Sequence, residues 1–345
     1  MKICIITLGC KVNQYESAAL AAELTAAGHE IVSSQGAATS ADRYIVNTCA
    51  VTGFAEKKSR YQVNRIRRLH PNAQIEVRGC AAQHNPAQFA APNTKVFTAR
   101  TSFAHSDVDL NPLSGKGVPS LARAGYAKRK IAYIKVQDGC NNFCSYCIVP
   151  HLRGRSKSRP LPDILAEIQS LQNSQITLIG IDLSAYGLDL APKTDLAALC
   201  LAVDKLGKKF SLSSLEVRVI TPAFLTALKD CKNFIPHFHL SLQSGCDSVL
   251  TAMNRHYKAA DYANRTAQIR AAFPDAILTT DVIVGFPTET DADFAETLAF
   301  VKSQNFQKVH IFPYSPRPGT PAAALKPLQD SVVTARAKQL EKMSL

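Results

Sequence analysis

The chain has 345 residues, a length that favours two domains, each large enough to bury its own core. Apolar residues make up 46% and charged residues 19% of the sequence, which is ordinary for a globular protein. No apolar run reaches the ~18 residues of a membrane-spanning helix, and the opening segment lacks the features of a signal peptide. We therefore expect a cytoplasmic protein with no membrane partner.

The chain is basic, with a net charge of +13 from 40 Lys and Arg residues against 27 Asp and Glu residues. Such an excess suits a polyanionic partner such as RNA, although it also aids solubility. In a reducing compartment the ten cysteines are expected to be metal ligands or buried apolar residues rather than disulfides.

The first hundred residues alternate short apolar strands with amphipathic helices, which predicts an open parallel α/β sheet over residues 1–100. The predicted strands are 2–8, 43–46 and 75–78, and the predicted helices are 14–27 and 56–69.

In this region three cysteines each come shortly after the end of a predicted strand. Cys10 follows the first predicted strand, Cys49 the second and Cys80 the third. The carboxyl ends of parallel strands meet at one edge of a sheet, so thiols far apart in sequence converge there. Three buried free cysteines are the alternative, because Cys is among the most buried residue types. The coincidence favours a three-cysteine iron–sulfur site.

A polar stretch with little periodicity, residues 101–130, predicts a linker. After it the alternation of strands and helices resumes. Six βα units at this spacing predict a partial (β/α)6 barrel over residues 131–325, followed by a C-terminal helix at 326–345. The predicted strands are 131–136, 176–179, 212–217, 237–242, 278–284 and 309–313, and the helices between them include 162–171 and 291–304.

The most informative motif lies just after the first barrel strand. Cys140, Cys144 and Cys147 form a Cys-x3-Cys-x2-Cys run on one short loop. Three thiolates hold three irons of a [4Fe–4S] cluster and leave the fourth iron open to a substrate or cofactor. A structural zinc site is the alternative, and it needs four ligands, the fourth of which His151 is placed to supply.

Small and polar residues end the predicted barrel strands. Gly180 and Asp182 end the second strand, Ser214 and Glu216 the third, and Gln243 follows the fourth. Active sites of barrels form on the carboxyl-terminal face, so this pattern is typical of a cofactor-binding face. Turn chemistry is the alternative for the glycines.

A basic run, Arg153, Arg155, Lys157 and Arg159, comes directly after the cysteine loop. One interpretation is a solvated charged surface, and the other is contact with RNA phosphates beside a cofactor site. A second basic stripe lies on the predicted helix 56–69, where a solvent-exposed face is favoured.

Together these segments resemble the methylthiotransferase family of radical S-adenosylmethionine (SAM) enzymes over nearly the whole chain. Within that family, the segments 9–17 (Gly-Cys-Lys-Val-Asn-Gln-Tyr-Glu-Ser) and 137–141 (Gln-Asp-Gly-Cys-Asn) are most similar to enzymes that act on threonylcarbamoyladenosine in tRNA. Enzymes for isopentenyl-adenosine tend to read Gly-Cys-Gln-Met-Asn there, and those for a ribosomal-protein aspartate Gly-Cys-Pro-Lys-Asn. The resemblance rests on residues 7–17, 47–52, 79–80, 139–154, 242–245, 253–255, 281–289 and 312–322.

The resemblance implies two [4Fe–4S] clusters and SAM as cofactors. The SAM-binding cluster would be held by Cys140, Cys144 and Cys147. An auxiliary cluster carrying the sulfur to be transferred would be held by Cys10, Cys49 and Cys80. Residues that would contact SAM are Tyr146, which would lie near its adenine, and Gly180, Asp182, Ser214, Glu216 and Gln243.

The resemblance also implies the reaction. One SAM would methylate the auxiliary sulfur, and reductive cleavage of a second would give a radical that takes hydrogen from C2 of the adenine. The product would be 2-methylthio-N6-threonylcarbamoyladenosine next to the anticodon, in a loop whose bases can be splayed out. The partners would be tRNA and a reductant such as flavodoxin or ferredoxin, and DNA would not be a partner. A ribosomal-protein methylthiotransferase and a non-catalytic zinc- and RNA-binding protein are the alternatives.

The sequence departs from the family pattern in three places. Val217 stands where the family often has Pro, and Thr288 where Gly is common, and we expect neither to abolish activity. Family members usually continue into a small C-terminal β-barrel (TRAM) domain that helps to bind tRNA. The sequence stops at Leu345 within the predicted helix before it, so we expect the TRAM domain to be absent.

Overall fold

The computed structural model describes residues 1–32, 36–98 and 131–342. The predicted linker, residues 101–130, lies outside the described residues. No helix in the described ranges is long and apolar enough to cross a bilayer.

The first part of the chain forms one parallel five-stranded sheet in the order β2-β1-β3-β4-β5. The three predicted strands and two predicted helices are confirmed, with ends that move by a few residues. The two edge strands were not predicted, because three residues are too few to show an alternating pattern. The elements are β1 (Lys2–Thr7), α1 (Lys11–Ala26), β2 (Glu30–Val32), β3 (Arg43–Thr48), α2 (Gly53–Leu69), β4 (Gln74–Gly79), α3 (Cys80–His84) and β5 (Thr94–Val96).

The second part contains two three-stranded parallel sheets, a short antiparallel ribbon and eight helices among the described residues. Its strands are β6 (Ile131–Lys135), β7 (Gln137–Asp138), β8 (Lys157–Ser158), β9 (Gln175–Ile179), β10 (Lys209–Leu212), β11 (His237–Gln243), β12 (Ile277–Val284) and β13 (Lys308–Pro313). Its helices are α4 (Val149–Arg153), α5 (Leu161–Ser170), α6 (Leu196–Asp204), α7 (Pro222–Asp230), α8 (Asp247–Ala252), α9 (Ala259–Ala272), α10 (Asp291–Ser303) and α11 (Asp330–Glu341).

The two parallel sheets join into one curved wall, which confirms the predicted partial (β/α)6 barrel. The strand orders are β6-β9-β10 and β11-β12-β13. Single bridges at Leu215–Leu240 and Phe210–Phe234 connect β10 and the residue Leu215 beyond it to β11 and the segment just before it. The predicted strand 212–217 was wrong. The strand ends at Leu212 because the chain turns away there, and Val217–Val219 form a 3-10 turn.

Helix α1 packs against the barrel as well as against its own sheet. Val12, Tyr15 and Ala22 of α1 belong to the same buried cluster as the apolar residues of the barrel. Such a shared core fixes the position of the first sheet relative to the barrel, because buried side chains are packed at the density of organic crystals.

Buried hydrogen bonds also hold α1 against the barrel. Arg159 donates to Glu167 Oε2 at 2.6 Å and to the carbonyl oxygen of Lys135 at 2.8 Å. Tyr15 of α1 donates to the same Glu167 oxygen at 3.1 Å. All three side chains are buried, and they provide one another with hydrogen-bond partners at Arg159 Nη1, Tyr15 Oη and Glu167 Oε2.

Replacing Arg159 by Met should leave the Glu167 carboxylate buried without its cation. We expect the free energy of unfolding to fall by about 3–5 kcal/mol, measured by urea denaturation of the metal-free protein under reducing conditions. The control is Lys157→Met, two residues away and exposed, which should change stability by less than about 0.5 kcal/mol. Equal effects of the two substitutions would contradict this account.

Candidate active site

The Cys-x3-Cys-x2-Cys loop is held rigidly between β7 and α4. Its middle is fixed to the end of α8, where Ser145 donates from Oγ to the carbonyl oxygen of Ala252 at 2.7 Å and from its backbone nitrogen to that of Met253 at 3.0 Å. The backbone nitrogen of Cys147 donates to the carbonyl oxygen of Cys144 at 3.0 Å, which closes a tight turn. The loop therefore presents its three thiols together.

The environment of these thiols suits a bound cation. Burial, reinforced by the neighbouring thiolates, raises the pKa of Cys140 and of Cys147 to about 12. Arg255 donates from Nη1 to the sulfur of Cys144 at 3.2 Å. Thiolates are the form that binds metal, and a metal cation offsets the cost of burying them. This donor set therefore fits an iron–sulfur cluster.

A cavity opens beside the loop, at the carboxyl ends of the barrel strands. Of the six residues predicted to contact SAM, five line it: Tyr146, Asp182, Ser214, Glu216 and Gln243. Gly180 does not line it. A Cβ atom at Gly180 would lie 2.8 Å from Oε1 of Gln137, so this glycine allows close packing beneath the cavity.

Asp182 and Tyr314 line the cavity, and each has one buried oxygen without a hydrogen-bond partner in the described part of the chain. These oxygens are Asp182 Oδ1 and Tyr314 Oη. Asn142 donates to the other Asp182 oxygen at 3.1 Å. Burial, together with the charge of Glu216, raises the pKa of Asp182 to about 6. Buried polar atoms are nearly always satisfied, so these oxygens fit a polar ligand such as SAM.

Sequence reasoning gave no role to Arg255, which organises one wall of the cavity. Its Nη2 donates to both carboxylate oxygens of Glu216, at 2.7 and 2.8 Å, while Nη1 reaches Cys144. The arginine therefore fixes the orientation of a cavity carboxylate relative to the cysteine loop. The only sequence signal was the Met-Asn-Arg triplet at residues 253–255.

The second set of cysteines lies at the carboxyl ends of neighbouring strands of the first sheet. Cys10, Cys49 and Cys80 follow β1, β3 and β4, which are neighbours in the sheet. Burial and the charges of Cys80 and Cys10 raise the pKa of Cys49 to about 11. Gly9 has φ +103°, and a Cβ atom there would lie 3.0 Å from the sulfur of Cys49. Only glycine lets the backbone approach this thiol so closely.

The second set of cysteines lies close to the cavity that the first set lines. The charge of Cys80 raises the pKa of Cys147, in addition to the effect of burial. Val51 and Thr52, directly after Cys49, line the cavity. Helix α3, which begins at Cys80, packs against α4, which begins two residues after Cys147.

Arg153 and its neighbours form a buried cluster between the two sets. Arg153 donates to Glu16 at 2.9 and 3.1 Å, to Asn13 Oδ1 at 2.9 Å and to Asp138 at 3.2 Å. Lys135 pairs with Glu16 at 2.9 Å and with Asp138 at 2.5 Å. Burial raises the pKa of Cys80, and the Arg153 charge opposes this rise.

The predicted RNA-binding run needs correction. Arg153 is 5% and Arg159 1% exposed, because each is held in a buried ion pair, so neither is available to RNA phosphates. Arg155 and Lys157 are exposed, and the Arg155 guanidinium lies 4.4 Å from the ring centroid of Phe143. An RNA contact stays a prediction for these two residues.

The spacing of the cysteines bears on the zinc alternative. Within the described ranges, the one group of three ligand side chains with atoms within 4.8 Å of one another is His239, Asp281 and His310, inside the barrel. Zinc bound at about 2.3 Å to thiolates would hold three sulfurs under about 4 Å apart. With the side chains as they stand, neither cysteine set has its three sulfurs that close together.

Two family profiles match this chain. Residues 2–98 match "Uncharacterized protein family UPF0004", and residues 134–301 match the radical SAM superfamily.

Curated relatives match across most of the chain. The threonylcarbamoyladenosine tRNA methylthiotransferase MtaB of Thermotoga maritima is 38% identical, with 93% of this chain and 76% of that protein covered. The protein of the same name from Bacillus subtilis is 35% identical, with coverage of 95% and 76%. The tRNA-2-methylthio-N(6)-dimethylallyladenosine synthase of Nitrosospira multiformis is 34% identical, with coverage of 94% and 74%.

Solved structures show the same fold at low sequence identity. The radical S-adenosylmethionine methyltransferase TsrM from Kitasatospora setae, with cobalamin and a [4Fe–4S] cluster bound, gives a TM-score of 0.63 at 12% identity and covers 93% of this chain and 77% of that one. The cobalamin-dependent S-adenosylmethionine radical enzyme OxsB gives 0.61 at 13% identity, with coverage of 99% and 56%.

Gly9→Ala should displace the thiol of Cys49. We expect a loss of about 1–2 kcal/mol from the left-handed backbone and a further loss of about 1–3 kcal/mol from overpacking, measured by urea denaturation. The matched control is Gly28→Ala, at φ +84° with nothing within 4 Å of the added methyl, which should show the backbone cost alone. If both variants lose the same stability, the close approach of Gly9 to Cys49 has no energetic role.

Proposed function

Because the chain belongs to the methylthiotransferase family of radical SAM enzymes, we propose that it converts N6-threonylcarbamoyladenosine next to the anticodon of tRNA to its 2-methylthio derivative. The observation that carries this proposal is that Cys140, Cys144 and Cys147 line a cavity that Val51 and Thr52, directly after Cys49 of the second set, also line. A methylthio transfer needs a sulfur source within reach of the atom at which the radical is formed. A single-cluster radical enzyme has no such requirement.

SAM and an iron–sulfur cluster are cofactors of radical SAM enzymes, and we propose two [4Fe–4S] clusters in this one. Cys140, Cys144 and Cys147 would hold the first, and Cys10, Cys49 and Cys80 the second. When bound, these cofactors supply the radical chemistry and the sulfur. The electron would come from a reductant such as flavodoxin or ferredoxin.

The side chains around the cavity would bind and orient SAM. Asp182 Oδ1 is placed to accept a hydrogen bond from the ligand, and Arg255 holds the carboxylate of Glu216, which also lines the cavity. The ring of Tyr146 packs against the apolar cluster of Met253 and Phe286, which fixes its plane beside the cavity. A rigid ring of this kind suits the adenine of SAM and excludes water from it.

Lys11 supports the threonylcarbamoyl substrate over an isopentenyl one. Lys11 directly follows Cys10, and its ammonium lies 6.0 Å from the ring centroid of Tyr133 on β6. Its charge also lowers the pKa of His237 and His310 on β11 and β13, after the larger effect of burial. Lys11 makes no ion pair with any residue the structure describes. Lys11 is not among the residues that line the cavity, but an exposed cation directly after Cys10 would suit the carboxylate of a threonylcarbamoyl group rather than a hydrocarbon tail.

The first experiment counts iron and sulfide after anaerobic reconstitution. We expect about eight irons per chain in the wild type and about four in Cys140→Ala/Cys144→Ala/Cys147→Ala and in Cys10→Ala/Cys49→Ala/Cys80→Ala. The second variant should still cleave SAM but form no methylthio product on tRNA.

Other outcomes of the iron count would overturn parts of the proposal. About four irons falling to none in the first variant would mean that Cys10, Cys49 and Cys80 hold no cluster. Zinc without iron or sulfide would favour the non-catalytic protein. Methylthio product on a ribosomal protein, with none on tRNA, would favour the other enzyme class.

Lys11→Gln tests the substrate assignment. On an anticodon stem-loop with threonylcarbamoyladenosine, KM should rise about tenfold or more, because a hydrogen bond to a charged group contributes about 1.5–3 kcal/mol. The control is the same RNA with the threonyl carboxylate as a methyl ester, on which wild type and variant should have equal KM. A similar rise on both RNAs would mean that Lys11 does not contact the carboxylate.

A further inference from the structure

Helix α2 exposes two aromatic rings among basic side chains. Phe54 is 77% and Tyr61 57% exposed. Residues three, four and seven positions apart lie on one face of a helix, so these rings share a face with four basic residues. The α2 stripe, as we define it, consists of Phe54, Lys57, Lys58, Tyr61, Arg65 and Arg68.

The structure separates the basic residues of α2 into two groups. Arg60 donates to Gln88 at 3.1 Å, and Arg67 donates to Thr94 at 3.2 Å and to the carbonyl oxygen of Phe89, so both help to hold the fold.

The side chains of the other four, which belong to the α2 stripe, make no hydrogen bond or ion pair with the residues that the structure describes. The nearest acidic residue of α2, Glu56, is buried and pairs with Arg317. The stripe therefore carries four positive charges without local compensation.

The α2 stripe begins at the rim of the cavity. Thr52, which lines the cavity, caps α2 by accepting a hydrogen bond from the backbone nitrogen of Ala55 at 3.1 Å. The backbone nitrogen of Gly53 donates to Ser315 at 2.8 Å, and Ser315 also lines the cavity. With 17 residues, α2 extends about 25 Å from this rim.

We propose that the α2 stripe binds the anticodon stem-loop of the substrate RNA, an inference that rests on the proposed function. A base splayed into the cavity leaves its loop neighbours unstacked at the rim, where Phe54 offers a ring for stacking. The lysines and arginines farther along α2 contact the phosphates of the stem. Lysine is depleted in the cores of protein–protein interfaces, so this mixture of cations and rings favours RNA over a protein partner.

Two variants of the reconstituted enzyme separate stacking from charge. Lys57→Gln/Arg65→Gln/Arg68→Gln should weaken binding of a stem-loop RNA about tenfold or more at 0.1 M salt and reduce the slope of log K against log salt by about 2–3. Phe54→Ala should weaken binding about fivefold or more and leave that slope unchanged. Binding is measured by fluorescence anisotropy with a labelled stem-loop that contains threonylcarbamoyladenosine.

The matched control removes equal charge from the far end of the barrel. Lys205, Lys229 and Lys232 are exposed near the ends of α6 and α7, and changing all three to Gln should leave affinity within about twofold and reduce the slope by less than 1. Iron content and SAM cleavage without RNA should equal the wild-type values in every variant, because none of these residues lines the cavity.

The outcomes distinguish this inference from the proposed function. If wild type forms the methylthio product and the α2 variants bind and modify RNA like the control, the α2 stripe is not the docking surface and the function stands. If the variants keep RNA affinity but lose activity with flavodoxin as electron donor, the stripe binds a protein. If wild type binds the RNA through α2 and forms no product, the inference stands and the function fails.

Discussion

The arrangement of this molecule depends on a buried cluster of charges between its first sheet and its barrel. Glu16 and Asp138 face Lys135 and Arg153, two carboxylates against two cations, all of them buried or nearly so. Burial alone would raise the pKa of Glu16, and the charges of Arg153 and Lys135 lower it below its ordinary value. Each charge therefore depends on the other three, because removing one would leave an uncompensated ion in a poorly solvated site.

This cluster relates the two sets of thiols to each other. Arg153 ends the helix that follows the Cys-x3-Cys-x2-Cys loop, and it donates to Asn13, three residues after Cys10. The charge of the same guanidinium opposes the rise in the pKa of Cys80 that burial causes. The fork of donors on an arginine has fixed geometry, so one side chain limits how far the two edges of the cavity can move apart. Apolar packing of α1 on the barrel, which has no such directionality, could not set this separation alone.

Much of this architecture is predictable because its causes are local or follow from topology. Apolar periodicity sets the strands and helices, and the parallel sheet brings Cys10, Cys49 and Cys80 to one edge. The residues whose positions were predicted wrongly or missed are held by contacts between residues far apart in sequence. Arg153 and Arg159 look like surface charges in a basic run, since their carboxylate partners, Glu16 among them, are not visible from spacing. Likewise Arg255 meets Glu216 across 39 positions of sequence.

The two cysteine sets differ in how much of the chain must fold before their three thiols come together. This difference affects the order in which the two metal sites can form. Cys140, Cys144 and Cys147 lie within eight residues, so closing their loop costs little chain entropy even in an unfolded chain. Cys10, Cys49 and Cys80 span seventy-one residues and meet only once β1, β3 and β4 have paired. Iron bound there would bind the native state alone, and its binding free energy would add directly to the stability of the first sheet. In a nascent chain, Cys140, Cys144 and Cys147 could thus bind metal first. Cys10, Cys49 and Cys80 could bind it only after the first sheet has folded.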